Sequence, residues 1–207
     1  VYKRQILTKP VPRFEYLIGK LLGILLLVAV SLVLMSILFF AVLYIRQYGI
    51  LAEETNQIRG QPTAEQLSSI KETIFSQGLR LELLNGVIAI FLKASVAAEI
   101  ALVVSTFASS TLFTIIVSLV IYFIGHAQSL ALTYYFPEGD MHGALQRFIA
   151  GIVAIMFPNL QMYNVVDGIV SGQSVPFALM ARLTGLTGFY LVIYSFVSWI
   201  LFDNKEL

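Results

Sequence analysis

The chain has 207 residues, of which 58% are hydrophobic and 12% charged, and its mean hydropathy is +0.84. A soluble domain is about half apolar and roughly a quarter charged, so this chain has too little charge to cover a water-facing surface. The composition excludes a soluble enzyme domain and a disordered tail, and the net charge of +1 excludes a nucleic-acid-binding protein. The absence of cysteine excludes disulfides, thiolate nucleophiles and cysteine-based zinc sites. An integral membrane protein remains.

The first five residues, Val1 to Gln5, match one reading frame of a transposon end used in DNA library preparation. We expect them to be a sequencing scar, which is left out of fold reasoning. We also expect the protein itself to continue upstream of Ile6. The alternative is a native basic arm that carries Lys3 and Arg4.

An amphipathic segment, residues 6–20, precedes four stretches that are long enough to cross a membrane. The hydrocarbon layer is about 30 Å thick and a helix rises about 1.5 Å per residue, so about 20 apolar residues are needed. Lipid cannot satisfy the backbone of an open strand, so the stretches are predicted to be helices. The fold class is therefore an all-α integral membrane protein, with transmembrane helices at about 21–45, 86–106, 112–132 and 183–202.

Four crossings place both termini on one side of the membrane. Lys9, Arg13 and Lys20 crowd the approach to the first helix, whereas the basic residues of the following loop are dispersed and offset by glutamates. Because Lys and Arg close to a transmembrane helix favour the cytoplasmic side, we expect a multi-pass protein of the inner (plasma) membrane with cytoplasmic termini.

The second predicted helix carries two ionisable residues, Lys93 and Glu99. Each costs about 2.5–3.5 kcal/mol at the centre of a lipid-exposed helix, so both should face protein, water or an interface. They are candidates for a lumen or a subunit interface, and the alternative is snorkelling combined with helix packing. The same helix has small residues at four-residue intervals, which would let another helix approach closely. These are Ala97, Ala101, Ser105 and Ser109.

Two polar regions separate the predicted helices. The outer loop at 46–85 is predicted to contain an amphipathic helix that opens at Pro62-Thr63, with Thr63 and Gln66 in capping-box spacing. We expect this helix to lie on the bilayer surface or on the other helices. The second region, 133–182, contains ten apolar residues from Phe148 to Phe157. Ten residues are too few to cross the membrane, so this stretch is predicted to be a re-entrant segment.

Residues suited to catalysis are sparse. Glu138, Asp140 and His142 could ligate a cation, but a solvated turn accounts for them better. His126 near Ser129 resembles a base beside a nucleophile, although a histidine at the end of a helix is the simpler interpretation. The chain lacks the G-x-x-x-x-G-K-[ST] phosphate-binding loop, so it should not hydrolyse nucleotide itself. We therefore predict no catalytic residue, no metal site and no cofactor.

The segment ahead of the first predicted helix has the most informative pattern. It resembles the cytosolic motif of ABC-2 type permeases, the membrane subunits of ATP-binding cassette transporters. That motif reads Leu-x-x-Pro-Val-Ser-Arg, then a few residues, then Leu-Leu-Gly-Lys before a transmembrane helix. The chain departs from it at Pro12 and Ile18, and it matches at Leu7, Pro10, Val11, Arg13, Leu17, Gly19 and Lys20.

Four later stretches resemble the family in the same order. Residues 105–110 are similar to the family's hairpin between its fourth and fifth helices, and residues 122–126 to the end of its fifth helix. Residues 157–160 are similar to the segment ahead of its last helix, and residues 202–207 to its short cytosolic tail. In the family's scheme of six transmembrane helices, this chain would hold helices three to six. The first two helices would lie in the part missing upstream of Ile6.

The resemblance implies a partner set. Two permease subunits, identical or different, would pair in the lipid bilayer, and cytosolic ATPase subunits would bind below them. The residues expected near the ATPase are Lys9, Pro10, Arg13 and Glu15. The substrate stays open. Two alternatives from other classes also stay open: an ion-coupled secondary transporter or channel that uses Lys93 and Glu99, and an intramembrane enzyme that depends on His126, Glu138, Asp140 or His142.

Overall fold

The computed structural model describes residues 13–57, 68, 82–135 and 157–203. Every regular element in these ranges is helical. The elements are α1 (Arg13–Gln57), α2 (Glu82–Phe107), α3 (Thr111–Tyr135), a 3₁₀ helix (Leu160–Tyr163), α4 (Val166–Val170) and α5 (Phe177–Asp203). Within this part of the chain, α1, α2, α3 and α5 are long and apolar enough to cross a membrane. The prediction of an all-helical fold with four helices that are long and apolar enough to cross a membrane is thereby confirmed for the described residues.

All four long helices extend beyond the predicted apolar stretches, and α1 and α5 differ most from the prediction. The sequence predicts an outer loop from residue 46, but α1 continues to Gln57, because residues 46–57 contain no proline and mostly tolerate a helix. Helix α5 starts at Phe177 rather than Leu183, directly after Pro176, a residue that is favoured at helix starts. The apolar run marks the part of each helix that suits lipid, and Pro176 marks where α5 begins.

Some expected elements fall outside the described residues. The surface helix that should begin at Pro62 is represented only by Ser68, which is helical and exposed. Of the re-entrant stretch Phe148–Phe157, only Phe157 is described. The candidate cation ligands Glu138, Asp140 and His142 also lie outside the described ranges.

Helix α2 is the centre of the bundle. It contacts α1, α3, α5, α4 and the 3₁₀ helix, and its most extensive contact is with α5. The core between α2 and α5 is closed by the 3₁₀ helix. Its buried members include Leu92, Val96, Leu160, Tyr163 and Leu183. The helix at the centre of the bundle is thus the one that carries Lys93 and Glu99.

The N-terminal end of α1 lies against the C-terminal end of α5. The rings of Phe14 and Trp199 meet edge to face with centroids 6.1 Å apart, and those of Tyr16 and Phe202 stack at 6.2 Å. Leu17 is buried in a small cluster that also contains Leu102 near the end of α2. The two outer ends of the described chain therefore lie at the same end of the bundle.

The rest of α1 exposes apolar side chains along most of its length. Leu26, Leu27, Met35 and Ile45 are each about two-thirds or more exposed. Such a surface would aggregate in water but is suited to lipid or to another apolar helix.

The helical hairpin of α2 and α3 is closed by a short turn. The turn covers residues 108–110, and the Ser110 side-chain oxygen accepts the backbone N–H of Phe113 at 3.2 Å. A serine at this position caps one of the first amide groups of α3. The hairpin expected between Phe107 and Thr111 occupies this turn.

Residues 157–165, which we call the inserted segment, pack against α3 through a glycine. A Cβ atom added at Gly125 would stand 2.7 Å from the carbonyl oxygen of Pro158 and 3.2 Å from a methyl group of Leu160. Real Cβ atoms do not approach a backbone oxygen this closely. The absence of a side chain at Gly125 therefore lets the inserted segment lie directly on α3.

We predict that Gly125→Ala lowers the thermal stability of the protein, at a cost of about 1–3 kcal/mol, because the inserted segment must move away from α3. The matched control is Gly188→Ala in α5, where an added Cβ meets no atom within 4 Å. That control should be neutral or slightly stabilising, since alanine favours a helix over glycine. Thermal unfolding in an uncharged detergent measures both. Equal midpoints for the two variants would refute the close contact.

Candidate functional site

The inserted segment is tied to three helices, and its contacts bring together polar residues that are far apart in the chain. Lys93 Nζ in α2 donates a hydrogen bond to Asn164 Oδ1 at 2.7 Å, and it lies 3.1 Å from Nε2 of His126 in α3. We call these three residues the Lys93 cluster. On the other side of the segment, the Tyr163 hydroxyl lies 2.9 Å from that of Thr187 in α5.

The donors and acceptors in the Lys93 cluster follow from its chemistry. A lysine ammonium group has three donors and no acceptor, so the Nε2 atom of His126 must accept from it. The ring hydrogen of His126 is then on Nδ1, a buried atom with no hydrogen-bond partner among the described residues. The ring also packs against Tyr122, with centroids 5.0 Å apart. The histidine is thus held in one orientation by a cation on one side and an aromatic ring on the other.

Lys93 is a cation whose two contacts are uncharged. The polar contacts of its ammonium group are with Asn164 and His126. No carboxylate lies within 4.0 Å of that group in the part of the chain that the structure describes. Asn164 is itself oriented by its side-chain amide, which donates to Gln161 Oε1 at 3.2 Å. Lys93 is half-buried while Asn164 and Gln161 are exposed, so the cluster combines a positive charge with an accessible polar face.

The hydroxyl pair at Tyr163 and Thr187 has a defined direction. Thr187 donates its hydrogen to the carbonyl of Leu183 at 2.9 Å, so Tyr163 must be the donor to Thr187. Burial raises the pKa of the Tyr163 hydroxyl above its usual value, and the hydrogen bond to Thr187 lowers it in part. This contact holds the inserted segment to α5.

Glu99 lies on a different face of α2 from Lys93 and has different surroundings. It is completely buried, and its Oε1 atom accepts a hydrogen bond of 2.8 Å from the Ser195 hydroxyl in α5. Its Oε2 atom is buried without a hydrogen-bond partner among the described residues. Within one subunit, Glu99 is therefore a contact between α2 and α5, not a residue that lines an opening.

Part of the predicted stripe of small residues on α2 faces α3. Ala97 and Ala101 line a groove of about 310 Å³ between α2 and α3, together with Thr114, Ser118 and Tyr122. Ser105 is half-buried, and its hydroxyl donates to the carbonyl of Leu102 at 2.7 Å. Ser109 lies in the turn between the two helices.

The residues expected to contact an ATPase lie at the start of the described chain. Lys9 and Pro10 fall outside it, and α1 begins at Arg13. Glu15 is exposed in the first turn of α1, where a carboxylate also complements the positive end of the helix dipole. Arg13 and Glu15 flank Phe14, whose ring contacts Trp199 of α5.

Sequence reasoning did not find Asn164, Gly125, Thr187 or Ser195. The polar character of Asn164, Thr187 and Ser195 is a signal in the sequence, because a polar residue in or beside an apolar stretch needs a hydrogen-bond partner. The partner itself is not readable from spacing, since the contacts of Lys93 and Glu99 join residues 33 to 96 positions apart.

The Nε2 atom of His126 is directed at Lys93, and the side chain of Ser129 lies outside the described residues. No group of three metal-ligating side chains occurs among the residues that the structure describes. The Lys93 cluster places a positive charge beside the inserted segment. Comparisons of the chain with protein-family models, curated proteins and solved structures gave no match.

We predict that Lys93 and Asn164 are energetically coupled. Lys93→Met leaves Asn164 without its donor and Asn164→Leu leaves Lys93 without that acceptor, so the double variant should be about 1–2 kcal/mol more stable than the sum of the two single changes, because one charged hydrogen bond is counted in both. Thermal or denaturant unfolding of the four proteins measures the coupling. Lys93→Met combined with Gln173→Leu is the control, since Gln173 has no contact with Lys93, and this pair should be additive.

We predict that Glu99→Gln is tolerated and raises the unfolding midpoint, because a neutral amide keeps an acceptor for Ser195 and costs less to bury than an unpaired charge. Ser195→Ala should lower stability by about 1–3 kcal/mol by leaving Glu99 without its partner. In a Glu99→Leu background, Ser195→Ala should have little further effect. A Glu99→Gln variant with a lower unfolding midpoint than the parent chain would show that the negative charge itself is needed.

Proposed function

We propose that the chain is part of the permease subunit of an ABC-2 type ATP-binding cassette transporter. In this role it moves a substrate across the inner membrane, and a separate cytosolic ATPase supplies the energy. The observation that carries the proposal is the ordered set of sequence resemblances, from Leu7–Lys20 through 105–110, 122–126 and 157–160 to the tail at 202–207. Four transmembrane helices are consistent with helices three to six of this family.

The packing of the helix ends supports a route for coupling. Lys9 and Pro10 precede α1 in the sequence, and Arg13 and Glu15 belong to its first turn. That turn contacts Trp199 and Phe202 of α5 through Phe14 and Tyr16. Leu17 and Leu21 extend the contact to Leu102 of α2. A displacement of the cytosolic segment by a bound ATPase would therefore act on α5 and α2 together. The ATPase can shift the bundle only as far as its affinity differs between the two states.

The apolar surface of α1 supports the proposed subunit assembly. A helix that exposes large apolar side chains over most of its length is suited to lipid and to a second permease subunit, homologous or identical. The proposed setting is a multi-pass protein with cytoplasmic termini in the plasma membrane of a prokaryote.

An ion-coupled secondary transporter or channel is the second candidate. Glu99 favours it, because a fully buried carboxyl group with one unpartnered oxygen is a common feature of proton and cation pathways. Transport driven by an ion gradient without any ATPase would mark this alternative.

We predict that Arg13→Glu weakens association with the ATPase subunit by about tenfold and reduces ATP-driven transport, because it reverses a charge in the proposed contact. Arg46→Glu is the matched control: it makes the same change on the same helix, far along α1 from the contact, and should leave both unchanged. Co-purification of the two subunits and transport in proteoliposomes are the measurements. Wild-type association and transport for Arg13→Glu would remove Arg13 from the contact.

A further inference from the structure

An apolar cavity, open at the surface beside the exposed side chains of Met35 and Val170, lies one helical turn from the Lys93 cluster. It has a volume of about 260 Å³ and lies between α1, α2 and α4. Its lining includes Leu32, Phe39, Gly86, Ile90, Val166 and Ile169. Ser36 is the polar residue of the lining, and its hydroxyl is engaged with the carbonyl of Leu32 at 2.6 Å. The cavity therefore offers no free polar side chain to a ligand.

The cavity and the cation share one face of α2. Gly86, Ile90 and Lys93 are spaced by four and three residues, which places them above one another on a helix. On the opposite wall, Asn164 is two residues before Val166, which lines the cavity. The apolar volume therefore leads toward a lysine whose described contacts are uncharged.

The charge of Lys93 calls for an anion. It is the one Lys or Arg in the apolar stretches 21–45, 86–106, 112–132 and 183–202. A cation at this depth is costly unless an opposite charge compensates it. The exposed face of Asn164 and the third ammonium hydrogen of Lys93 leave room for a further acceptor beside the described ones.

We propose that Lys93 and the neighbouring cavity bind a single-chain anionic amphiphile, with its carboxylate at Lys93 and its aliphatic chain in the cavity. An enclosed cavity of about 150 Å³ accepts a benzene ring, so the 260 Å³ of this open cavity can hold one aliphatic chain of about ten carbons. That volume fits one short chain but not the two chains of a phospholipid. The site does not depend on an ATPase partner, so it stands or falls separately from the transporter proposal.

The test is equilibrium binding of radiolabelled decanoate to the purified 207-residue chain in nanodiscs of uncharged phosphatidylcholine. Decanoate should bind saturably at one site and be displaced by unlabelled decanoate. Decyltrimethylammonium, which has the same chain and the opposite charge, should not displace it. Inorganic phosphate should also fail, because it cannot use the cavity.

Two pairs of variants separate the charge from the cavity. Lys93→Met should weaken decanoate binding at least tenfold, the effect of losing one charged hydrogen bond, while Lys20→Met, an exposed lysine on α1, should not. Val87→Phe, which fills the cavity, should also weaken binding about tenfold. Val192→Phe, on the exposed face of α5, is its control. Lys93→Arg keeps the charge and should bind within a few-fold of the parent chain, which covers the case in which Lys93→Met fails to fold.

Several results would overturn the proposal. They are the absence of saturable decanoate binding, equal displacement by the cationic analogue, and unchanged binding by a folded Lys93→Met or Val87→Phe variant. Displacement by phosphatidylglycerol in the nanodisc as effective as that by decanoate would assign the site to a two-chain bilayer lipid instead.

Discussion

A helix that carries a lysine and a glutamate through an apolar layer must find a polar partner for each of them. Helix α2 meets this constraint with Lys93 and Glu99 on different faces, and each face is served by a different neighbour. Lys93 meets α3 and the inserted segment, whereas Glu99 meets Ser195 of α5. Since an isolated charge in a lipid-exposed helix costs about 2.5–3.5 kcal/mol, these contacts help to fix which elements surround α2. The central position of α2 in the bundle follows from this requirement together with its apolar packing.

The inserted segment depends on the same helix. Non-helical backbone at membrane depth is tolerated only where it is packed on protein or lines water. Residues 157–165 satisfy this condition by contacts to Gly125 in α3, Lys93 in α2 and Thr187 in α5. The result is a polar, partly accessible region at the level of Lys93. A ligand site and a transport role for the bundle are both compatible with this arrangement.

The sequence allowed the fold class and the four transmembrane helices to be predicted, because an uncharged apolar run of about 20 residues is long enough to cross the bilayer and too apolar for a water-facing helix. It also singled out Lys93 and Glu99 by their cost in lipid. It could not supply their partners. Asn164 and Ser195 are 71 and 96 positions away, and polar residues of this kind are common in loops and helices. The role of Gly125 could not be predicted either, since a glycine inside a helix can be explained only when the backbone that packs against it is known. The ends of α1 and α5 were also not readable from hydropathy, which reports where lipid is tolerated and not where a helix stops.

The proposed function rests on the family resemblance. Sequencing the coding DNA on either side of this chain is the most direct test of it. The account predicts an adjoining gene for a cytosolic protein with a G-x-x-x-x-G-K-[ST] phosphate-binding loop. It also predicts an upstream coding sequence that adds two transmembrane helices before Ile6. The contradicting result is an upstream sequence that completes a four-helix protein with no ATPase gene beside it.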